Sequence, residues 1–215
     1  MYIYAIGFLA QLFFSARILI QWIMSEKAKK NVSPAIFWIL SVAGAYLLFI
    51  YGWLRNDFAI ILGQLISYYI YLWNLNIKGY WKKVIAPFRW LLLLTPLVIV
   101  ILVGRDVSVF VSNFFHNSEI PVYILLYGSA GQIIFTLRFV YQWIYSKKRN
   151  ESLLPIGFWI ISLVGSAIIV SYAAYRLDPV LLLGQSIGII SYTRNLMIGC
   201  KHRKKDETPV IKVCD

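Results

Sequence analysis

The chain has 215 residues, of which 60% are hydrophobic, 17% aromatic and only 14% charged. This apolar share exceeds the roughly one half of a typical soluble domain, so the composition excludes an ordinary soluble protein and indicates an all-α integral membrane protein. The net charge of +12 comes from short basic clusters between apolar runs. That pattern is typical of cytoplasmic membrane loops and argues against a nucleic-acid partner.

Seven apolar runs predict seven transmembrane helices, in chain order at residues 3–24, 35–53, 59–77, 87–104, 122–145, 156–175 and 180–199. The first run has no basic segment before it and no small-residue cleavage site after it, which predicts a retained span and not a signal peptide. Pro34 and Pro155 stand at the start of the second and sixth runs, a common position for proline. Pro96 predicts a kink in the fourth.

An internal repeat organises the chain, because residues 4–83 align without a gap onto residues 125–204 at a constant offset of 121 positions. Rare polar residues recur one by one in this alignment, which hydrophobic composition alone does not explain. They are Gln11, Arg17, Gln21, Gln64 and Asn74 in the first copy and Gln132, Arg138, Gln142, Gln185 and Asn195 in the second. The sequence therefore predicts a duplicated three-helix unit.

The distribution of charge predicts how the two units lie in the membrane. Three helices are an odd number, so the units share one orientation only if the run at 87–104 also spans. Lysine and arginine then fall almost entirely on one side, which is the usual cytoplasmic bias. We expect a 3+1+3 arrangement of two parallel three-helix-bundle repeats and a linker helix, with the N-terminus outside and the C-terminus inside. The segments are 1–83, the linker helix and outer loop at 84–121, 122–200, and a basic tail at 201–215.

Arg17 and Arg138 are cations inside apolar runs, and each shares a helix face of about 120° with two glutamines. A charge at bilayer depth costs at least ~2.5 kcal/mol, so it usually faces the protein interior or a cavity. Two interpretations stay open: the long side chain extends to the inner headgroups or pairs structurally, or it binds a ligand. The flanking glutamines favour a ligand, since an extended arginine needs none.

The third helix of each unit contributes amides near both predicted membrane surfaces. Hydrogen bonding between helices is the alternative to a ligand role for these amides. Arg194 stands where the first copy has Trp73, so the second copy has an additional cation and the two halves are not equivalent.

The chemistry that the sequence lacks narrows its function. No Asp or Glu lies inside a predicted span, and no metal spacing, nucleophile–base pair or phosphate-binding glycine loop occurs. We therefore expect no cofactor and no enzyme. An intramembrane set of arginines and amides suits an anion, and a guanidinium group favours phosphate or carboxylate. A phosphate-bearing lipid or glycolipid is the predicted partner.

Several motifs occur twice: Arg-x-x-x-Gln-Trp-x-x-Ser, Pro-x-x-Phe-Trp-x-x-Ser-x-x-Gly, Tyr-x-x-x-Arg-x-Asp, and Leu-Gly-Gln followed by Tyr-x-x-Asn-Leu. They resemble the N-terminal domain family of lipid-A-disaccharide synthases, which are small three-helix membrane units. The 3+1+3 layout is also similar to that of PQ-loop and SWEET transporters, although the chain has no Pro-Gln dipeptide. The resemblance implies a role in lipid A or related glycolipid biosynthesis in the bacterial inner membrane.

Three functions follow from these expectations. The first is binding and translocation of a phosphorylated glycolipid or a polyprenyl-phosphate sugar, with the ten repeated polar residues and Arg194 as candidate substrate-binding residues. The second is a non-transporting membrane subunit that presents lipid substrate to a separate glycosyltransferase. Disaccharide synthesis itself is less favoured, because the chain has no sugar-nucleotide site. Arginines that face a shared central cavity favour the first function, and arginines that face lipid favour the second.

Overall fold

The computed structural model describes residues 2–54, 58–103, 121–175, 177 and 179–206. Within this part of the chain there are seven long helices, a 3₁₀ turn at Trp81–Lys83 and no strand, which confirms the all-α prediction. The helices are α1 (Tyr2–Ala28), α2 (Ala35–Leu54), α3 (Phe58–Ile77), α4 (Ala86–Val103), α5 (Val122–Arg149), α6 (Ile156–Tyr175) and α7 (Pro179–Asp206).

The helix ends agree with the predicted runs to within one residue, except at three C-terminal ends. α1, α5 and α7 continue to Ala28, Arg149 and Asp206, several residues beyond the predicted ends at 24, 145 and 199. The additional turns contain Lys, Arg and Glu, which are good helix formers. The apolar pattern marks only the apolar part of each helix, so it underestimates a helix that continues into polar residues.

The two three-helix units pack against each other as one bundle. Within each unit the first helix packs on the second and the second on the third, while between units α1 packs on α7 and α3 on α5. Each unit thus places its first helix against the third helix of the other, as a pseudo-twofold axis requires. A shared aromatic core crosses the boundary, where the ring centres of Tyr71 and Phe139 lie 4.8 Å apart.

α4 lies outside both units and packs on α2 and α3. Tyr68 Oη donates to the carbonyl of Leu92 at 2.8 Å, and Tyr69 Oη donates to the carbonyl of Leu93 at 2.7 Å. The first of these bonds has a specific cause: Pro96 has no N–H, so the carbonyl four residues earlier, at Leu92, lacks its helical donor. The equivalents of the two tyrosines in the second unit are isoleucines. Only the first unit can therefore hold α4 in this way.

Two of the described helices, Ala5–Ala28 and Ile156–Tyr175, are long and apolar enough to cross a membrane by length and composition. That all seven helices cross stays a prediction. Much of the outward-facing surface is apolar, with Leu12 65% and Ile85 72% exposed. Contiguous exposed apolar surface marks contact with a membrane or a partner. The outer loop and the end of the basic tail, at 104–120 and 207–215, lie outside the described residues.

Candidate functional site

Arg17 on α1 and Arg138 on α5 line one cavity at the interface between the units. The side chains are 4% and 3% exposed, which argues against their extending to the headgroups and leaves structural pairing and ligand binding open. The cavity measures about 10 Å³, room for one water molecule. The equivalent cations of the two repeats therefore line the same small cavity.

Aromatic rings surround both guanidinium groups. Arg17 Cζ lies 4.4 Å from the ring centre of Phe14, and Arg138 Cζ lies 3.2 Å from that of Phe135, the equivalent residue. The ring of Phe139 contacts both cations, at 5.4 Å from Arg17 Cζ and 4.6 Å from Arg138 Cζ. A cation over a ring face gains about 0.5–2 kcal/mol. The rings thus stabilise the two charges without neutralising them.

The arginines are incompletely hydrogen bonded. Arg17 Nη1 donates to Ser41 Oγ at 2.7 Å, and Ser41 Oγ donates in turn to the carbonyl of Phe37. Arg17 Nε, Arg138 Nε and Arg138 Nη1 are buried without a hydrogen-bond partner in the described part of the chain. No carboxylate is among the described residues that line the cavity. Burying an ion costs several kcal/mol, so an anion beside the two guanidinium groups would stabilise them.

Four fully buried amides join the two units beside this cavity. Gln142 Nε2 donates to Asn74 Oδ1 at 3.0 Å, and Asn74 Nδ2 donates back to Gln142 Oε1 at 3.1 Å. Gln21 Nε2 donates to Asn195 Oδ1 at 2.9 Å, which is the equivalent contact across the pseudo-twofold axis. Gln21 Oε1 is buried, lacks a partner among the described residues, and belongs to a side chain that lines the cavity.

The same glutamines hold the loop that precedes the second helix of each unit. Gln21 Nε2 donates to Ser25 Oγ at 2.8 Å, one helical turn later, and Ser25 Oγ accepts the N–H of Val32. The second unit repeats these bonds with Gln142, Ser146 and Leu153. Each glutamine therefore fixes its own helix, its own loop and the third helix of the other unit.

Two serines in these loops also belong to the interface, and sequence reasoning did not identify them. Ser33 Oγ and Ser152 Oγ lie 2.9 Å apart, and Ser152 Oγ donates to Asn74 Oδ1 at 2.7 Å. Trp38 Nε1 donates to Ser33 Oγ at 2.8 Å. The alignment gave no signal for the serines, because they are not equivalent to each other: Leu154 occupies the position that matches Ser33.

Asn31 and Phe139 were missed for the same reason. The hydrogen-bond network fixes the orientation of the Asn31 amide. In that orientation Asn31 Nδ2 donates to Asn195 Oδ1 at 3.3 Å, and Asn31 Oδ1 accepts from Trp159 Nε1 at 3.0 Å. Its equivalent in the second unit is a serine, and the equivalent of Phe139 in the first is Ile18. A comparison of the two copies selects the residues that both share. It does not select Asn31 and Phe139, whose equivalents are different residues.

The other predicted site residues lie away from the arginines. Gln185 accepts a hydrogen bond from Ser166 Oγ at 2.9 Å, within the second unit. Gln132 is exposed, and Gln11 and Gln64 are partly buried. None of these four glutamines lines the central cavity.

Arg194 is exposed and forms an ion pair with Glu26, to which its Nε and Nη2 both donate. Glu26 also accepts from Trp22 Nε1 at 3.1 Å. Glu26 lies on α1 and Arg194 on α7, so this pair bridges the two units at the surface. The additional cation of the second copy thus has a carboxylate partner, unlike Arg17 and Arg138.

Comparison with known proteins identifies the repeated unit. The family model described as the Lipid A Biosynthesis N-terminal domain matches twice, at residues 6–76 and 127–197. A lipid-A-disaccharide synthase of Chlamydia caviae is 33% identical over 91% of this chain and 33% of its own length. One of Chlamydia pneumoniae is 34% identical over 94% of this chain and 34% of its own. The chain spans about a third of the length of these curated relatives.

No solved structure matches the chain, and the likeness to PQ-loop and SWEET transporters stays a prediction. The expectation that the chain is not an enzyme is contradicted, because its relatives are named as one. That expectation came from catalytic motifs missing from these residues, whereas about two thirds of each relative lies outside the match. The family expected from the motifs is confirmed: the chain belongs to the Lipid A Biosynthesis N-terminal domain family and carries its domain twice.

Proposed function

We propose that the chain binds a phosphorylated glycolipid of lipid A biosynthesis, or a chemically similar polyprenyl-phosphate sugar, between its two repeats and moves it across the bacterial inner membrane. One observation carries the proposal. Arg17 and Arg138, at equivalent positions of the two units, line one cavity, and three of their nitrogen atoms are buried without partners among the described residues.

A phosphate group suits this pair of cations. Each guanidinium group can donate two parallel hydrogen bonds to phosphate oxygens, and such charge-assisted bonds are about twice as strong as neutral ones. Ser41 already orients Arg17 through Nη1, which leaves its Nε available. The aromatic rings exclude water and so strengthen the attraction between the arginines and an anion.

The described arrangement is a closed form of the site, because a cavity of about 10 Å³ is too small for a phosphate group with its sugar. Binding therefore requires the two units to move apart. The amide and serine contacts between the units lie at the end of α1 that leads into the basic loop. In the predicted orientation this end is cytoplasmic, so these contacts form the inner gate of a rocking pair of repeats.

The residues that line the cavity indicate which energy source drives movement of the lipid. A proton relay or a sodium site needs a buried carboxylate, and the lining described above has none. We expect facilitated movement, whose direction depends on consumption of the lipid on the receiving side. The apolar outer surface and the basic helix ends support a multi-pass placement with the C-terminus in the cytoplasm.

A proteoliposome assay tests translocation. The probe is an NBD-labelled glycolipid with one phosphate on its sugar, and dithionite reports how much of it reaches the outer leaflet. With the wild-type protein, probe that starts in the inner leaflet reaches the outer leaflet, where dithionite reduces it. Arg17→Gln and Arg138→Gln each slow this by about tenfold or more, since a hydrogen bond to a charged group contributes about 1.5–3 kcal/mol.

Arg89→Gln is the matched control, because it removes an arginine of α4 that lies outside the cavity. It keeps the wild-type rate. Equal rates for wild type and the double variant Arg17→Gln/Arg138→Gln would contradict the proposed role of the arginines.

A second candidate function is presentation of the lipid to a glycosyltransferase without transport. It is favoured by the relatives, in which a region like this chain occurs within a longer lipid-A-disaccharide synthase. Measuring both binding of the probe and its protection from dithionite distinguishes the two functions. If the wild type binds the NBD-labelled glycolipid through the arginines yet leaves it protected from dithionite, presentation is the function.

A further inference from the structure

A second, larger space lies in the first unit, away from the arginines. It is a groove of about 680 Å³ bounded by residues of α1, α2, α3 and α4 and by the turn that connects α3 to α4. Its volume is within the range of roughly 300–1,000 Å³ that is typical of ligand sites. Its walls are almost wholly apolar, with Phe13, Val42, Leu72 and Leu92 among them.

The groove has one polar end. Tyr80, Trp81 and Lys83 line it where α3 leads into α4. Lys83 Nζ lies 5.0 Å from the ring centre of Tyr80, and Lys83 and its neighbour Lys82 are both exposed. A long apolar groove that ends at exposed lysines matches the two parts of an anionic lipid: the apolar walls suit an acyl chain, and the lysines suit a phosphate.

α4 forms the outer wall of this groove and packs on α2 and α3 of the first unit. Tyr68 and Tyr69 hold α4 through the hydrogen bonds described above, and isoleucines replace them in the second unit. Ala43 lines the groove and is partly buried, while its equivalent in the second unit, Val164, is 49% exposed. Ala43 and Lys83 thus have counterparts in the second repeat, Val164 and Lys204, that serve as internal controls.

We propose that this groove binds one acyl chain of an anionic glycerophospholipid, with the lipid phosphate at Lys83. The described residues of the lining include no carboxylate and no amide side chain, the groups that bind sugar hydroxyls, so their chemistry favours a phospholipid over a glycolipid. The bound chain fills the space between α2 and α4. The site is separate from the arginine cavity and does not depend on translocation.

Native mass spectrometry of the full chain tests the proposal. Protein in detergent micelles is titrated with phosphatidylglycerol and, separately, with phosphatidylcholine, and the retained lipids are counted. The wild type retains one phosphatidylglycerol in preference to phosphatidylcholine. Lys83→Gln lowers that preference about fivefold, because one lysine near an anionic lipid contributes about 1 kcal/mol.

Two tryptophan variants test the location. Ala43→Trp fills the groove and abolishes retention, whereas Val164→Trp places the same side chain at the equivalent position of the second unit and keeps the lipid. Thermal unfolding of both variants separates loss of the site from loss of the fold. If Ala43→Trp does not fold, a second pair of variants makes the same comparison. Lys83→Gln lowers the retention of phosphatidylglycerol, whereas Lys204→Gln, at the equivalent position of the second unit, keeps it.

Three results would overturn the proposal: equal retention by the members of either pair, no preference for phosphatidylglycerol, or displacement of phosphatidylglycerol by an equimolar phosphorylated glycolipid. The double variant Arg17→Gln/Arg138→Gln keeps the bound phosphatidylglycerol. Failure of the groove and failure of the arginine site are therefore distinguishable.

Discussion

Asn74 and Gln142, which belong to different repeats, exchange two hydrogen bonds, whereas their equivalents Asn195 and Gln21 share one. The additional bond occurs because Gln142 Oε1 accepts from Asn74, while Gln21 Oε1 has no partner among the described residues. The interface between the repeats is thus symmetric in its residues and asymmetric in its bonds. The side with the free oxygen is the weaker half of the proposed inner gate.

This difference predicts a difference in coupling energy. We expect a double-mutant cycle with Asn74→Ala and Gln142→Ala to give a larger interaction energy than the cycle with Asn195→Ala and Gln21→Ala. The excess is about 1 kcal/mol, the net contribution of one hydrogen bond. Chemical unfolding in mixed micelles measures both cycles. Equal coupling energies would show that the second bond does not contribute.

Phe139 contacts both guanidinium groups, so its loss affects two cations at once. Phe139→Ile, which introduces the residue of the first unit, is expected to destabilise the protein by about 1–3 kcal/mol through lost cation–ring contacts and lost ring packing. In an Arg138→Gln background the same substitution costs about 1 kcal/mol less. Thermal unfolding in detergent measures both costs, and the same cost in both backgrounds would exclude the cation contact as its cause.

The sequence predicted the duplicated unit, the family and the helix ends other than three C-terminal ones, because each of these depends on local apolar patterns or on residues that both copies share. It also selected Arg17, Gln21 and Asn74 with their equivalents, since a polar residue repeated inside an apolar run is rare. These six residues lie at the interface between the units. That Gln21 contacts Asn195, on the other unit, was not predictable, because an alignment of two copies contains no information on how they pack.

Several of the residues that sequence comparison missed are at positions where the copies differ. Ser33, Ser152 and Phe139 have no identical equivalent, and Tyr68 matches an isoleucine. Such positions hold the contacts that occur once, including the attachment of α4. The central cavity is lined by residues of both repeats, whereas the groove beside α4 is lined by residues of the first unit and of α4.

The attachment of α4 gives a matched pair of substitutions. Tyr68→Phe removes the donor to the Leu92 carbonyl, which Pro96 leaves without a helical partner, so we expect it to destabilise the protein by about 1–3 kcal/mol. Tyr69→Phe removes a donor to Leu93, whose carbonyl is at the position to accept the N–H of Leu97, and costs less. Thermal unfolding of the two variants compares them directly. A larger cost for Tyr69→Phe would contradict this account of the proline.

Lys29 adopts a left-handed backbone conformation, with φ of 54°, at the end of α1. Its equivalent Asn150 has φ of 51° and ends α5. Asparagine tolerates this conformation better than lysine, so Lys29→Asn is expected to stabilise the protein by about 0.5–1 kcal/mol. Lys30→Asn, one residue later, is the control and changes the melting temperature less. A lower melting temperature for Lys29→Asn would count against backbone strain at this position.

The proposed function requires Arg17 and Arg138 to hold one lipid phosphate together. Binding of a short-chain phosphorylated glycolipid to the detergent-solubilised protein, measured by titration calorimetry for the wild type, Arg17→Gln, Arg138→Gln and the double variant, tests it most directly. One shared site predicts that each single substitution weakens binding about tenfold or more, with one lipid bound per wild-type chain. Wild-type affinity in either single variant, or two lipids bound independently by the two arginines, would contradict it.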